Sequence, residues 1–326
     1  MKERVLVTGG AGFIGSHVVD KLINEGWTIR VVDNLSSGRI ENLKHHDDDN
    51  VEVWTVDLKD PQKALEAVKN VTTVFHFAAN PEVRLSTISP ETHFNENVVA
   101  TFNLLEAMRR SDVKDIVFAS SSSVYGEPEA IPVSEEAPLK PVSVYGASKV
   151  ACESLIHAYS RLYGIRAVVL RYANVVGPRL RHGVVYDFIL KLLKKPDELV
   201  ILGDGSQVRS YMHVIDAVEA TIIAWKKASA NFEVYNVGNE DWITVSEVAQ
   251  EVVSVMGLRD VKFTYEPVLH GVGWLGDVKR IALAIDKIKS LGWRPKMNSK
   301  QAVKEAAASI VQELKGRTIS KSEASL

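Results

Sequence analysis

The sequence predicts an α/β protein: a doubly wound parallel sheet with a second, smaller α/β lobe. Short runs rich in β-branched residues alternate with amphipathic stretches through the first half of the chain, as expected of a parallel sheet covered by helices on both faces. The alternation becomes less regular after Asn174, which places the second lobe mostly in the later half. A chain of 326 residues, 46% apolar and 25% charged, is long enough for a large buried core.

The first half contributes most of the sheet. Strands are predicted at 4–8, 28–32, 51–56, 73–77, 116–120 and 167–171, and helices at 13–25, 61–68, 90–110 and 144–163. Asp60 followed by Pro61 has the pattern of an N-cap with proline at the first helical position.

The second half holds fewer strands. Helices are predicted at 184–194 and 214–226, and strands at 199–202 and 234–237. Thr244 with Glu247 has the spacing of a capping box and predicts the start of another helix.

The charge balance argues against nucleic acid as a partner. Lys plus Arg number 39 and Asp plus Glu 41, so no strong positive field is expected. No run of eighteen apolar residues predicts a membrane span, and the start MKERVLVTGG has no signal-peptide pattern, so a cytoplasmic protein is expected. The one cysteine, Cys152, falls in the apolar pattern of a helix and is expected to be packed.

The hydrophilic run KHHDDDN, residues 44–50, contains side chains that can bind metals. It lies between two predicted strands and has the composition of a solvated loop. We therefore expect a loop there, and the sequence predicts no metal site.

A glycine-rich turn gives the first chemical signal. In VLVTGGAGFIG, residues 5–15, Gly9, Gly12 and Gly15 follow an apolar strand and open a helix. This is the dinucleotide-binding pattern of a Rossmann domain, in which the helix N-terminus faces the diphosphate. Asp33 ends the next strand, where a carboxylate can accept ribose hydroxyls and repel a 2′-phosphate, so NAD is preferred over NADP. Arg39 alone points the other way, since a basic residue there could meet a phosphate.

A tyrosine and a lysine give the second signal. Tyr145 and Lys149 are four residues apart in a predicted helix, so their side chains share a face. A nearby ammonium, together with the positive nicotinamide ring, is expected to lower the pKa of the tyrosine, which suits it to act as general base and acid. The first VYG tripeptide of the chain holds Tyr125, but Glu129 stands where a lysine would be needed, so a packing role is expected for Tyr125.

The joint occurrence of several motifs identifies a resemblance. TGGAGFIG, DNLSSG, HFAA, SSSSVYG, YGASK, LRYANVVGPR and GDGSQVRSYMHVID occur in this order over roughly residues 2–300. Together they resemble the extended short-chain dehydrogenase/reductases and, among them, the UDP-glucose (UDP-galactose) 4-epimerases.

The resemblance implies roles for many residues. It implies catalysis by Ser121, Tyr145 and Lys149. It implies that NAD, besides the glycines, Asp33, Tyr145 and Lys149, contacts Phe13, Ile14, Asn34, Leu35, Ser37, Gly38, Asp57, Leu58, Phe77, Ala78, Ala79, Asn97 and Tyr172. It implies that a UDP-sugar contacts Ser121, Ser122, Ser123, Tyr145, Asn174, Val184, Val185, Arg209 and Asp277.

The implied domains are an NAD-binding Rossmann domain and a substrate lobe. Residues 1–173 form the first, with a return to the sheet around 212–238. Residues 174–211 and 239–314 form the second, and residues 315–326 form a polar tail that is expected to fray.

The implied reaction is NAD-dependent 4-epimerisation of a UDP-hexose, UDP-galactose to UDP-glucose, through a transient 4-keto sugar, as in galactose metabolism. Family members that eliminate water or decarboxylate usually carry a glutamate just after the position of Ser121, where this chain has Ser122 and Ser123. That favours epimerisation over dehydration. A nucleotide-sugar reductase and a non-catalytic NAD sensor stay as alternatives, the sensor least favoured because it has no need of Ser121, Tyr145 and Lys149 together.

Three positions depart from the best-known epimerases. Trp274 replaces an arginine that contacts the diphosphate, so the grip on that group is expected to depend on Arg209. Ile281 stands where a bulky tyrosine excludes N-acetylhexosamines, which leaves those substrates open. A 4-epimerase of UDP-glucuronate stays as a separate alternative. Asn80 and Pro81 stand where some epimerases have a lysine, and no catalytic role is assigned to the nearby Arg84.

The predicted helices 90–110 and 144–163 carry long apolar stripes. In the resembling enzymes two such helices pair across a two-fold axis, which implies a homodimer.

Overall fold

In the computed structural model, which describes residues 4–46 and 50–323, the core element is a sheet of seven parallel strands. The strands of the chain are β1 (Arg4–Thr8), β2 (Thr28–Asp33), β3 (Val51–Thr55), β4 (Thr73–His76), β5 (Asp115–Ser121), β6 (Arg166–Tyr172), β7 (Asn174–Val176), β8 (Glu198–Leu202), β9 (Val208–Arg209), β10 (Tyr211–His213), β11 (Phe232–Val237), β12 (Ile243–Thr244), β13 (Lys262–Glu266) and β14 (Arg280–Ile281). The large sheet has the order β11-β6-β5-β4-β1-β2-β3.

The strand order creates a crevice next to β1. The chain moves from β1 through β2 to β3 on one side, and then crosses back to place β4 on the other side of β1. At such a topological switch point the loops that leave the two neighbouring strands turn apart, and ligands bind at the carboxyl ends of the strands. The glycine-rich turn directly follows β1 and therefore lies at this point.

Helices cover both faces of the sheet. They are α1 (Phe13–Asn24), α2 (Pro61–Ala67), α3 (Pro90–His93), α4 (Ala100–Arg110), α5 (Val144–Tyr163), α6 (Gly183–Lys194), α7 (Val214–Lys227), α8 (Val245–Val255), α9 (Asp286–Ser290) and α10 (Ser299–Glu323). One core cluster packs α1 and α7 against the sheet, and another packs α2, α4 and α5 against the opposite face. The predicted doubly wound α/β fold is confirmed.

Local sequence signals set several boundaries. Asp60 caps α2 by accepting hydrogen bonds from the backbone N–H groups of Gln62 and Lys63, with Pro61 at the first helical position. Thr244 and Glu247 form the predicted capping box of α8. Both predictions are confirmed. The strand β11, together with α7, returns the chain to the large sheet beside β6, where the sequence placed a return around 212–238.

The prediction of one uniform helix over 90–110 is wrong in its middle. A π-helical turn, Phe94–Val99, separates α3 from α4. Within it the carbonyl of Asn97 accepts a bond from the Cys152 thiol at 3.4 Å, and the Asn97 amide donates to the Ser148 hydroxyl at 2.8 Å. These contacts join the π-helical turn to α5, and sequence periodicity does not encode them.

The second lobe packs its own core. Short strand pairs, β7 with β10 and β8 with β13, and the three-stranded set β12-β9-β14 meet α6, α8 and α10 around a third apolar cluster. The backbone of α10 continues as helix to Glu323, so the tail expected after residue 314 begins inside a helix, and residues 324–326 lie outside the described part. No helix of the described residues has the length and apolar character needed to cross a membrane.

Candidate active site

A cavity of about 550 Å³ occupies the crevice at the carboxyl ends of the sheet strands. The glycine-rich turn and Asp33 line one end, the serines after β5 and the first turns of α5 line the middle, and residues of the second lobe close the other side. The fold therefore brings the two chemical signals of the sequence into one elongated space, although Gly15 and Tyr145 lie 130 positions apart in the chain.

The glycine-rich turn leaves room that no other residue would leave. A Cβ on Gly9, which has φ +65°, would lie 2.6 Å from the backbone nitrogen of Ala78, and one on Gly15 would lie 2.2 Å from the carbonyl oxygen of Gly9. Gly12 is the N-cap of α1, so the free N–H groups of the first helical turn face the cavity wall. This bare helix N-terminus fits a diphosphate, and the residues present therefore fit a dinucleotide.

Asp33 lies at the end of β2, where the dinucleotide pattern requires an acidic residue. Its carboxylate accepts the backbone N–H of Ala11 at 3.0 Å and that of Leu35 at 2.8 Å, and it is buried. Burial raises the pKa of Asp33, while the two backbone hydrogen bonds act in the lowering direction. The carboxylate keeps further lone pairs with which it can accept ribose hydroxyls.

Most of the residues assigned to the cofactor line the cavity, but three do not. The lining members are Gly9, Gly12, Phe13, Ile14, Gly15, Asp33, Asn34, Ser37, Asp57, Leu58, Phe77, Ala78, Ala79, Tyr145, Lys149 and Tyr172. The three that do not line it are Leu35, Gly38 and Asn97. Leu35 and Gly38 support the Asp33 carboxylate, since a Cβ on Gly38 would lie 2.6 Å from it, and the Asn97 side chain bonds Asn80 and Ser148.

The proposed catalytic residues come from the end of β5 and the start of α5. Ser143 caps α5 by accepting the Gly146 N–H at 3.1 Å, and the backbone N–H of Tyr145 donates to the Ser86 hydroxyl at 3.1 Å. Lys149 follows one turn later on the same face. Ser121 ends β5, and its hydroxyl accepts from the backbone N–H and the hydroxyl of Ser123, at 3.2 and 2.9 Å.

The electrostatics of Tyr145 differ from the expectation. Burial raises the pKa of Tyr145 to about 12, although a hydrogen bond with Ser121 acts to lower it. Lys149 does not bond the phenol: its ammonium donates to the carbonyl of Ala119 at 2.8 Å and lies 5.8 Å from the centre of the tyrosine ring. Desolvation thus outweighs the distant ammonium, and the lowering expected from Lys149 together with the positive nicotinamide ring stays a prediction.

Burial also acts on Lys149 itself and lowers its pKa to about 8. The side chain is 3% exposed and packs 4.9 Å above the centre of the Phe118 ring. Its ammonium is therefore charged at neutral pH but within reach of titration under mildly alkaline conditions.

The first VYG tripeptide has the packing role that the sequence predicted for it. Tyr125 is 2% exposed and lies outside the cavity wall. Its hydroxyl donates to the Asn236 side chain at 2.7 Å and accepts from Arg171 at 2.9 Å. These bonds tie the loop after β5 to β6 and β11.

The residues assigned to the substrate also line the cavity: Ser121, Ser122, Ser123, Tyr145, Asn174, Val184, Val185, Arg209 and Asp277. Arg209 is held by its neighbours, since its guanidinium bonds Asp277 at 2.7 Å and the carbonyl of Val208 at 2.8 Å. Trp274 and Ile281 line the wall as well.

Sequence reasoning missed part of the wall. Glu82, Arg84 and Asp187 line the cavity, and Arg84 bonds Glu82 at 2.9 Å and approaches Asp187 at 3.5 Å. His182 and Lys191, from the start and the middle of α6, also line it. The loop after β4 and the helix α6 are far apart in sequence, so only the position of Arg84 just after HFAA could have suggested its place.

The fold and the site define a class of protein: a dinucleotide-dependent enzyme of the short-chain dehydrogenase type, with a serine, a tyrosine and a buried lysine on the wall of the cofactor crevice and a second lobe for a large substrate. Residues 5–238 match the model of the NAD dependent epimerase/dehydratase family. The chain belongs to this family.

Individual relatives agree with this family. A putative UDP-glucose 4-epimerase of Methanocaldococcus jannaschii is 40% identical over 92% of this chain and 96% of its own length. A crystal structure of a UDP-galactose 4-epimerase is 52% identical, with a TM-score of 0.86 over 95% of this chain and 99% of that one. The UDP-glucose 4-epimerase of Thermotoga maritima, solved with UDP-glucose, is 35% identical with the same TM-score over the same shares.

Proposed function

We propose that the chain catalyses the NAD-dependent 4-epimerisation of a UDP-hexose, interconverting UDP-galactose and UDP-glucose through a transient 4-keto sugar. The observation that carries this proposal is the meeting of Ser121, Tyr145 and Lys149 in a cavity that extends from the glycine-rich turn to the second lobe. These three side chains suit acid–base chemistry on a hydroxyl group, and a protein that only binds NAD would not need them together.

Tyr145 acts as the base and the acid of the reaction. In its phenolate form it takes the proton of the sugar C4 hydroxyl, and in its phenol form it returns that proton after the keto sugar has turned over in the cavity, so that no net oxidation occurs. When bound, NAD supplies reversible hydride transfer and a positively charged ring. Ser121 bonds the reacting oxygen, and the Lys149 ammonium stabilises the negative charge that develops on the phenol.

The second lobe retains the substrate while the sugar turns over. Arg209 is fixed by Asp277 on the cavity wall, where a guanidinium can meet phosphate oxygens with paired hydrogen bonds. Binding energy from the nucleotide diphosphate retains the reactive keto sugar without fixing its ring. The ring can then turn over, so that hydride is removed from one face of the sugar and returned to the opposite face.

The surroundings of Ser121 favour epimerisation over elimination. The next two residues along the wall are Ser122 and Ser123, whose hydroxyls cannot remove a carbon-bound proton at C5 as a carboxylate could. The 4-keto sugar is therefore reduced again rather than dehydrated.

The charge of the wall favours neutral sugars over UDP-glucuronate. The guanidinium of Arg84 is already paired with the carboxylates of Glu82 and Asp187, so it offers no unpaired charge to a uronate carboxylate. Ile281 leaves more room on the wall than a tyrosine would, which supports UDP-N-acetylhexosamines as second substrates.

The first experiment is to incubate the purified protein, without added cofactor, with UDP-galactose and separately with UDP-N-acetylgalactosamine, and to separate the products by chromatography. We expect both 4-epimers, with the hexose pair converted faster. Failure on both substrates, even with NAD supplied, would overturn the proposed reaction.

The two VYG tyrosines provide a matched pair of variants. Tyr145→Phe should remove nearly all turnover and leave NAD binding intact. Tyr125→Phe should keep turnover and lose some stability, since Asn236 and Arg171 lose a buried partner. Full turnover in Tyr145→Phe would contradict the assigned mechanism.

We also propose a homodimer that pairs α3–α4 and α5 with the same helices of a second copy. Exposed apolar side chains support it: Phe94 is 58% exposed, Phe102 44% and Leu162 71%. Large apolar side chains grouped on one face of a soluble protein mark an interaction surface. Light scattering should give twice the mass of one chain, and Phe102→Asp should give a monomer. A wild-type monomer at micromolar concentration would contradict the dimer.

The cytoplasm is the compartment we propose. The support is the cysteine content, since a single cysteine, buried here, offers no disulfide within the chain.

A further inference from the structure

Outside the cavity, the described residues contain one group of three metal-ligating side chains that converge. Asp20 lies on α1, and His45 and His46 lie in the turn after a short 3-10 segment, Ile40–Asn42. The ligand atoms of the three side chains all lie within 4.8 Å of one another. None of the three lines the cavity, so the proposed reaction does not use them.

The two imidazoles point at the same oxygen. Nε2 of His45 lies 2.9 Å and Nε2 of His46 lies 2.7 Å from Oδ1 of Asp20. The ring centres lie 3.9 Å apart, with an angle of 41° between the ring planes. Two neighbouring residues of a turn thus direct equivalent nitrogens to one carboxylate on another element.

The carboxylate is oriented by a partner on its other oxygen. Nη2 of Arg179 lies 2.9 Å from Oδ2 of Asp20, which leaves Oδ1 directed at the imidazoles. Such outer partners fix the orientation of ligands in metal sites. Asp20 is 23% exposed, His46 9% and His45 49%, so an ion can enter from the side of His45.

We propose that Asp20, His45 and His46 form a binding site for one divalent transition-metal ion, with Zn²⁺ as the best match. Two imidazole nitrogens with one carboxylate oxygen suit Zn²⁺ and its neighbours Co²⁺ and Ni²⁺ better than Mg²⁺ or Ca²⁺, which prefer oxygen ligands. Ligands of a tetrahedral ion lie about 3.3 Å apart, so the imidazoles need to move away from Oδ1 by about half an ångström. Solvent supplies the fourth ligand on the open side.

The ion would fix a loop that also contacts the glycine-rich turn. In this loop the Arg39 N–H donates to the carbonyl of Ala11 at 2.9 Å, and the Asn42 amide donates to the same oxygen at 2.8 Å. Bound metal would therefore join the loop to α1 at a second point. Because the ion binds the folded chain at residues from two elements, it should raise the temperature of unfolding.

The sequence alone argued for a solvated loop here. The run KHHDDDN has the composition of a solvated loop, and Asp20 stands 25 positions before His45 in a helix whose amphipathic pattern explains an acidic residue without any metal. Only the packing of the loop against α1 brings the three groups together.

The test is a titration of the full chain, free of any polyhistidine tag and stripped with EDTA, with ZnCl₂ in a calorimeter. We expect one ion per chain. The double variant His45→Gln/His46→Gln should weaken binding at least tenfold, and Asp20→Asn should weaken it as well. His157→Gln, which removes an exposed histidine of α5, is the matched control and should bind as the wild type does.

Two results would overturn the proposal: no uptake of Zn²⁺ by the wild type, or equal uptake by the double variant. Thermal unfolding in EDTA checks that each variant folds. If the double variant does not fold, His45→Gln alone decides, because its half-exposed side chain can be replaced without disturbing a core. Failure of the metal site would leave the proposed reaction untouched, because the two sites share no residue.

Discussion

At the residue scale, Lys149 shows how burial changes a catalytic side chain. Its pKa in the folded protein is lowered to about 8 by burial, from 10.5 in the unfolded chain. Between these values the unfolded chain binds more protons than the folded protein, so the contribution of this residue to stability rises with pH.

A neutral replacement isolates this effect. Relative to Lys149→Met, the wild type should gain about 2 kcal/mol of unfolding free energy between pH 8 and pH 10, in the protein without ligands. Urea unfolding of both proteins at the two pH values measures the change. A difference that stays constant with pH would show that the ammonium is not desolvated as the structure indicates.

His93 is a second residue with unusual surroundings. It is completely buried, and neither ring nitrogen has a hydrogen-bond partner among the described residues. Its ring packs edge-to-face with that of Tyr145, with 5.5 Å between the centres. An unsatisfied buried polar group costs about 1–3 kcal/mol, so His93→Leu should raise the free energy of unfolding.

His76 is the matched control for this prediction. It is equally buried, but its nitrogens bond Thr8 at 2.6 Å and Thr101 at 2.9 Å, so His76→Leu should lower stability. Thermal unfolding of the two variants beside the wild type gives the comparison. The same direction of change in both would contradict the argument from hydrogen bonding.

At the element scale, two glycines of the turn from β1 to α1 have different roles. A Cβ on Gly15 would lie 2.2 Å from the backbone of Gly9, whereas one on Gly12 would meet only the Gly9 oxygen, at 3.1 Å. Gly15 therefore serves the packing of the helix against the turn, and Gly12 serves the approach of the diphosphate.

Alanine variants distinguish these uses. Gly15→Ala should lower the melting temperature, because backbone atoms must shift. Gly12→Ala should melt close to the wild type but bind NAD more weakly, because its methyl group occupies the cavity wall. Calorimetric melting and NAD titration check both expectations, and equal melting temperatures would count against the division of roles.

At the scale of the whole molecule, Arg179 connects the two lobes. It follows β7, and its guanidinium bonds the Ser16 hydroxyl at 3.0 Å and Asp20 at 2.9 Å, both on α1. Its backbone N–H donates to Glu313 of α10 at 2.8 Å. One residue thus joins the cofactor helix to the last helix of the second lobe.

Removing this guanidinium should weaken the junction between the lobes. Arg179→Met, which keeps the length of the side chain, should lose about 1–3 kcal/mol of unfolding free energy, measured with EDTA present. Lys226→Met breaks the exposed pair of Lys226 with Glu25 and is the control, with a loss of about 1 kcal/mol or less. Equal losses would show that Arg179 has no special place at the junction.

The sequence by itself determined the fold class, most element boundaries and the main groups of the site. Strand alternation, the glycine spacing after β1 and the four-residue spacing of Tyr145 and Lys149 are local patterns, and local patterns survive folding because backbone geometry sets which side chains share a face. The caps at Asp60 and Thr244 were predicted for the same reason.

Tertiary structure decided what depends on burial and on contacts between distant segments. Burial raises the pKa of Tyr145. The fold places Arg84 and His182 on the cavity wall, whereas Asn97 does not line the cavity and bonds Ser148 instead. It also brought Asp20 to His45 and His46. The sequence gives neither the distances between these groups nor their exposure to solvent. The free energies of ionisation and of metal binding depend on both.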